Sequence, residues 1–110
     1  NVILFKVNAE IIRQNEEIIK IYSEIANYNK KSNDTVFKKA VNINYGDQLI
    51  KSEVVKLNFS KNLIEIIENV YYMNNNTEIY ADKVELDLLK KKMKISMTNQ
   101  NDNIQITGKY

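Results

Sequence analysis

Close pairs of carboxylates are the residues of this sequence that could do acid–base chemistry. Two neighbouring carboxyl groups can divide the roles of general acid and general base between them. Glu65, Glu85 and Asp87 alternate with apolar residues, however, so we expect them to face solvent. A hydrolase that uses these groups is therefore the weaker interpretation. The candidate sets are Glu16 with Glu17, Glu65 with Glu68, and Asp82 with Glu85 and Asp87.

Nucleophilic, metal and phosphate-loop chemistry lacks its usual residues. The sequence has no His and no Cys, so a serine has no imidazole partner and a metal ion would have only oxygen ligands. No calcium-loop spacing is present, and Gly46 and Gly108 open no phosphate-binding loop. We therefore predict a protein that is not an enzyme and that binds no metal ion or cofactor.

Charge and aromatic residues argue against a nucleic-acid partner. Sixteen basic and 14 acidic residues leave a net charge of +2, which is small for a nucleic-acid-binding protein. We interpret the basic run 90–92 with Lys94 as a solvated turn, with contact to anionic lipid headgroups as the alternative. Tyr71 and Tyr72 could stack on bases, but adjacent positions on a strand place one ring inward and the other outward.

Length and composition indicate a single folded domain, residues 1–110. The chain has 110 residues, of which 44% are hydrophobic, and this is enough for a modest core. It contains no apolar run of about 18 residues and no signal peptide. Because the sequence begins at Asn1, we expect that an anchoring or targeting segment has been removed from it.

A repeat of 29 residues organises the chain. Residues 50–58 resemble residues 79–87 and residues 21–29 without a gap. Each copy begins with Ile, has Ser or Ala two residues later, and then Glu or Asp. Residues 99–110 would be a truncated fourth copy. The same offset links two further sets, Ile12 with Val41 and Val70, and Ile66 with Ile95.

Apolar and polar residues alternate with a period of two inside the repeat, which predicts β-strands. Val41 and Ile43, for example, alternate with Asn42 and Asn44. Asn is abundant and can take the left-handed turn positions that Gly usually occupies. Many short strands separated by turns are typical of a sandwich or roll. The predicted turns are residues 46–47, 60–62, 74–76 and 99–102.

The inward-facing parity changes in the middle of each repeat. Within residues 50–59 the apolar positions are even up to Ser52 and odd from Val55 onward, and residues 79–88 switch in the same way. Such a change needs a bulge or corner at which the strand bends towards the opposite layer. We expect the small residue, Ser52 or Ala81, at the bend, and the acidic one, Glu53 or Asp82, to point outward.

Residues 9–28 fit a helix as well as strands. Their apolar residues form a helical stripe, and their Glu and Lys content favours a helix. Ile12 and Ile21 nevertheless fall in register with strand positions downstream. We therefore predict strands here, with a turn near residues 14–16.

The unit IYADKVELDLLKKKMKI, residues 79–95, resembles the repeat of the OstA-like family, which includes LptA and LptC. That repeat has the pattern Ile-x-Ala-Asp-x-Val-x-hydrophobic-Asp, followed by a turn and a strand. Residues 49–66 resemble a second copy in which Ser-Glu replaces Ala-Asp. Residues 36–45 are similar to the strand that precedes a repeat, and residues 103–110 to the closing strand.

The resemblance implies an all-β fold, an open β-jellyroll or roll built from about three antiparallel repeats of 29 residues. It also implies a protein of the Gram-negative periplasm, tethered to the inner membrane, that carries lipopolysaccharide. Its partners would be an inner-membrane ABC transporter and other β-jellyroll proteins of the same bridge to the outer membrane. The role of LptC is preferred to that of the bridging protein LptA.

The apolar face by itself fits a closed core or an open groove. The resemblance favours a groove that accepts acyl chains, with partner contact at the C-terminal edge near Ile104 and Ile106. A structural protein-interaction repeat that binds no lipid is the alternative. The residues predicted to line the groove are Ile50, Val55, Leu57, Phe59, Ile66, Val70, Tyr72, Ile79, Val84, Leu86 and Ile95.

Overall fold

Eight antiparallel strands form one open sheet whose strand order follows the chain. The computed structural model describes residues 1–12, 18–98 and 103–109. Short polar connections make each strand pair with the next one, because an antiparallel neighbour can be reached by a tight turn. The strands are β1 (Val2–Ile12), β2 (Ile18–Tyr28), β3 (Thr35–Tyr45), β4 (Gln48–Asn58), β5 (Leu63–Met73), β6 (Glu78–Asp87), β7 (Lys92–Thr98) and β8 (Asn103–Lys109).

The prediction of an open, all-β roll is confirmed. Residues 9–12 and 18–28 lie in strands, so the strand interpretation of this region is confirmed over the helical one. The predicted turns at residues 46–47, 60–62 and 74–76 connect strands as expected. The turns predicted near residues 14–16 and at 99–102, and the pair Glu16 and Glu17, lie outside the described residues.

No membrane-spanning helix is found in residues 1–12, 18–98 and 103–109.

A line of bends crosses the sheet from strand to strand. The pairing register shifts between Tyr22 and Ile25 on β2, and equivalent shifts interrupt β3, β4 and β5. On β3 the bend places Lys39 and Ala40 at positive φ, and 29 residues later Glu68 and Asn69 repeat this conformation on β5. Bulges of this kind bend a strand sharply.

The bends divide the sheet into two walls that pack on each other. The first wall contains residues 7–12, 18–23, 41–45, 48–52, 70–73 and 78–81. The second wall contains residues 2–5, 25–28, 35–38, 54–58, 63–67 and 83–87, together with β7 and β8. Packed layers lie about 10 Å apart, and the smallest dimension of the molecule, 24 Å, fits a sheet folded onto itself.

The parity change predicted in the repeat occurs at these bends. Ile50 and Ser52 are buried before the bend in β4, and Val55 is buried after it, while Glu53 and Asp82 are exposed as expected. The inward residues of both walls form one hydrophobic core. Its members are Ile19, Ile21, Ala26, Phe37, Val41, Ile43, Ile50, Val55, Ile64, Ile66, Val70, Tyr72, Val84, Leu86, Met93 and Ile95.

The repeat position assigned to Ile12 is wrong. Ile12 is 72% exposed, whereas Val41 and Val70 are 1% exposed. The reason is the length of the β1–β2 connection. Ala9 faces Ile21 across 12 positions, but in the later copies Ile43 faces Ile50 and Tyr72 faces Ile79 across only seven. The additional five positions move β1 out of the 29-residue register.

Candidate apolar groove

The residues predicted to line a groove lie in three environments. Most pack against one another in the closed core, with 4% or less of each side chain exposed: Ile50, Val55, Ile66, Val70, Tyr72, Val84, Leu86 and Ile95. Leu57 and Ile79 are half-buried against this core. Phe59 lies in the β4–β5 turn and is 59% exposed. The two walls are therefore in contact across β4 to β7.

The walls separate at the β1 end of the roll, where a cavity of about 620 Å³ lies between them. We call this cavity the groove. Leu57 and Phe59 line it, and they are the members of the predicted set found there. Its full lining is Leu4, Val7, Ala9, Glu10, Ile11, Ile12, Ala26, Tyr28, Asn33, Thr35, Phe37, Leu57 and Phe59.

Small side chains in the first copy create this space. Ala9 faces Ile21 at the place where Ile43 and Tyr72 face the later copies. Close packing of protein interiors means that the loss of even a few methylene groups is felt as volume. Two more lining residues are smaller than their repeat equivalents: Ala26 replaces Val55 and Val84, and Thr35 replaces Ile64 and Met93.

The mouth of the groove is polar and is held by its turns. The Tyr28 hydroxyl donates a hydrogen bond to Asn33 Oδ1. Asp34 Oδ1 accepts a hydrogen bond from the backbone N–H of Phe59 at 2.9 Å. This second bond ties the β2–β3 turn to the β4–β5 turn and therefore fixes Phe59 beside the opening.

The chemistry of the groove is that of an apolar binding site. Cavities that bind small molecules are commonly about 300–1,000 Å³ in volume and mostly apolar. Glu10 is the charged residue of its lining, and the other polar groups lie on Tyr28, Asn33 and Thr35. The groove can shelter a hydrocarbon chain, with its polar end at the mouth.

The candidate carboxylates lie outside the core. Lys83 Nζ lies 3.3 Å from Glu65 Oε2 and 3.3 Å from Glu85 Oε1. Burial alone would lower the pKa of Lys83, but hydrogen bonds and charges from Glu65 and Glu85 raise it above its ordinary value. Asp87 accepts backbone hydrogen bonds in the β6–β7 turn, and Glu68 is exposed at the bend.

Tyr71 and Tyr72 point to opposite sides of β5, as predicted. Tyr72 is buried, and its hydroxyl donates a hydrogen bond to Gln48 Oε1 at 3.0 Å. Tyr71 lies on the outer face, where its ring is 5.1 Å from that of Tyr80.

Sequence reasoning missed the contribution of β1 to the groove. Val7, Ala9 and Ile11 project inward from the first wall, and Leu4 does so from the second. The alternation of Val7, Ala9 and Ile11 with Asn8 and Glu10 was a signal that could have identified this strand.

Both edges of the sheet present unpaired backbone within the described part of the chain. β1 carries exposed apolar side chains, with Ile3 60% and Phe5 72% exposed. β8 is the opposite edge, and Ile104 and Ile106 lie on it, paired in backbone register with Met97 and Ile95. An edge strand without Pro is a template for strand addition.

Neither the known family models nor the curated proteins include a match to this chain. The resemblance to the OstA-like repeat therefore stays a prediction that depends on the motifs.

Proposed function

We propose that this chain is a lipid carrier of the LptC/LptA kind, which accepts the acyl chains of lipopolysaccharide between its two walls. The observation that supports this proposal is the apolar groove at the β1 end of the roll. A hydrocarbon chain leaves a membrane only if another apolar phase receives it. Each buried methylene then contributes about 0.8 kcal/mol.

The open sheet offers a way for lipid to reach the predicted lining residues. Because β1 and β8 are not paired with each other, the walls can move apart at their free edges without breaking the strand ladder. Separation would expose core residues such as Ile66 and Val84, which are now fully buried. An acyl chain that replaced these wall-to-wall contacts would offset much of their loss.

Transfer to the next protein would use the sheet edges. Strand addition at β1 or at β8 would extend the sheet into a second β-jellyroll and would make the apolar interior continuous. The proposed partners are such proteins and an inner-membrane ABC transporter. The proposed location is the periplasm, at the inner membrane. These partners and this location follow from the family resemblance.

Site-specific photo-crosslinking tests the carrier function. A benzophenone amino acid replaces Phe59 at the groove or, as a matched control, Tyr80, whose ring is 79% exposed on the outer face. We expect crosslinks to purified lipopolysaccharide from position 59 and not from position 80. Equal labelling at both positions, or no labelling at either, would refute the proposal.

A structural protein-interaction repeat is the second candidate, and the exposed apolar residues of β1 favour it. This alternative predicts that the chain captures a partner through an edge strand without binding lipid. Crosslinks from position 5 to protein, together with no lipid crosslinks from position 59, would support it.

A further inference from the structure

Three turns at the free end of the second wall repeat one conformation. They connect β2 to β3, β4 to β5 and β6 to β7. An Asx side chain opens each turn, and its Oδ1 accepts a backbone N–H from a lysine two or three residues later. These acceptors are Asn29, Asn58 and Asp87, at distances of 2.9, 3.1 and 2.9 Å from the N–H nitrogens of Lys31, Lys61 and Lys90.

The strand order places these turns along one rim. Consecutive turns are separated by two strands, so neighbouring turns lie about 10 Å apart. All three carry lysines. Those of the rim are Lys30, Lys31, Lys61, Lys90, Lys91 and Lys92, and we call this set the lysine rim.

The lysine rim has few negative charges near it. Lys30, Lys31 and Lys61 are exposed and form no ion pair with another described residue. Asp34 and Asp87 lie in the same turns, but each already accepts backbone hydrogen bonds. The opposite rim differs in sign, because its described turns carry Asp47 and no lysine.

The lysine rim and the groove meet at the same two turns. Asn33, from the turn that carries Lys30 and Lys31, lines the groove. Phe59, from the turn that carries Lys61, lines it as well. A molecule with its hydrocarbon chain in the groove would therefore place its polar end beside these three lysines.

We propose that the lysine rim binds the anionic, phosphate-bearing headgroup of the lipid whose acyl chains occupy the groove. This inference rests on the proposed carrier function and adds a charge requirement to it. Each lysine close to an anionic lipid surface contributes about 1 kcal/mol, and salt weakens the attraction. The preference for anionic lipid therefore belongs mainly to Lys30, Lys31 and Lys61, which surround the mouth.

A lipid-extraction assay tests the charge requirement. The complete chain takes up fluorescent phosphatidylglycerol or phosphatidylcholine, with identical acyl chains, from vesicles of phosphatidylcholine. The test variant is Lys30→Gln/Lys31→Gln/Lys61→Gln. The control variant, Lys20→Gln/Lys51→Gln/Lys56→Gln, removes the same charge from exposed strand lysines away from the rim.

We expect the unmodified chain and the control variant to prefer phosphatidylglycerol. The test variant should take up this lipid about tenfold less well, with phosphatidylcholine uptake unchanged, since each lost lysine removes about 1 kcal/mol before screening. Added salt should reduce the preference of the unmodified chain. Circular dichroism and urea unfolding check that both variants fold.

The alternative outcomes separate the two proposals. Failure to take up either lipid overturns the carrier function itself. Equal uptake of both lipids by the unmodified chain, or equal losses in the test and control variants, overturns the lysine rim alone. Competition by inorganic phosphate at the concentration of the lipid would assign the rim to free phosphate and overturn the headgroup assignment.

Discussion

Ser23 and Ser52, 29 residues apart, make the same hydrogen bond at successive bends of the sheet. The Ser23 hydroxyl donates to the Ile25 carbonyl oxygen at 3.0 Å, and the Ser52 hydroxyl donates to the Val54 carbonyl oxygen at 3.1 Å. A bulge removes a backbone group from the strand ladder, and a buried polar group needs a partner. The small residue of the repeat thus satisfies the backbone at the corner.

Replacing the bend serines removes this hydrogen bond. Because both hydroxyls are buried, Ser23→Ala and Ser52→Ala should each lower the free energy of unfolding by about 0.5–1.5 kcal/mol. Urea unfolding measures the change. Ser60→Ala is the control, since its hydroxyl bonds an exposed side chain. Bend variants no less stable than this control would contradict the role of the hydroxyls.

The left-handed position of the rim turns is occupied by Asn33, Asn62 and Lys91, with φ of 64°, 52° and 54°. Asn tolerates this conformation better than Lys does. We therefore expect Lys91→Asn to raise the free energy of unfolding by about 0.5–1 kcal/mol, and the reverse change Asn62→Lys to lower it by a similar amount. Denaturation midpoints test both. A shift of the same sign in the two variants would be inconsistent with this account.

Filling the groove should block lipid uptake without unfolding the chain. Ala9→Ile places the side chain found at the equivalent Ile43 into the groove, so stability should change by less than about 1 kcal/mol. Uptake of lipid in the extraction assay should fall. Asn8→Ile adds the same side chain at an exposed neighbouring position and should leave uptake intact. Unchanged uptake by Ala9→Ile would place the lipid elsewhere.

The cluster of Lys83 with Glu65 and Glu85 predicts a pH dependence. The pKa of Lys83 is raised above 10.5, so the folded state favours the ammonium form. Its contribution is fully present below 10.5 and is lost as the pH rises through the folded-state pKa. Because the cluster is partly exposed, Lys83→Gln should cost no more than about 1 kcal/mol at neutral pH. Urea unfolding at neutral and alkaline pH measures whether this difference shrinks.

The exposed edge strand β1 predicts association through its backbone. A charged residue on an edge discourages strand addition, so Phe5→Lys should weaken binding of a β-jellyroll partner or self-association. Tyr80→Lys is the control, because Tyr80 is similarly exposed but lies on β6, inside the sheet. Analytical ultracentrifugation compares the variants. Equal behaviour of the two would exclude β1 as the contact.

The strands and their bends could be predicted from the sequence because both depend on local patterns. Period-two alternation identifies a strand with one buried face, and the parity change between Ser52 and Val55 identifies the bend. The 29-residue offset then relates one bend to the next. The same reasoning failed at Ile12, since the connection between β1 and β2 is longer than the later ones.

The sequence alone determined that an all-β roll would form and which face of each strand would be apolar. Tertiary structure decided where that face is packed and where it is open. Ala9, Ala26 and Thr35 lie on three different strands, and the space that they leave exists only where the two walls meet. The lysine rim likewise requires the antiparallel order that brings Lys30, Lys61 and Lys90 to one end of the sheet. Both features depend on contacts between distant residues, and a local pattern carries no information about such contacts.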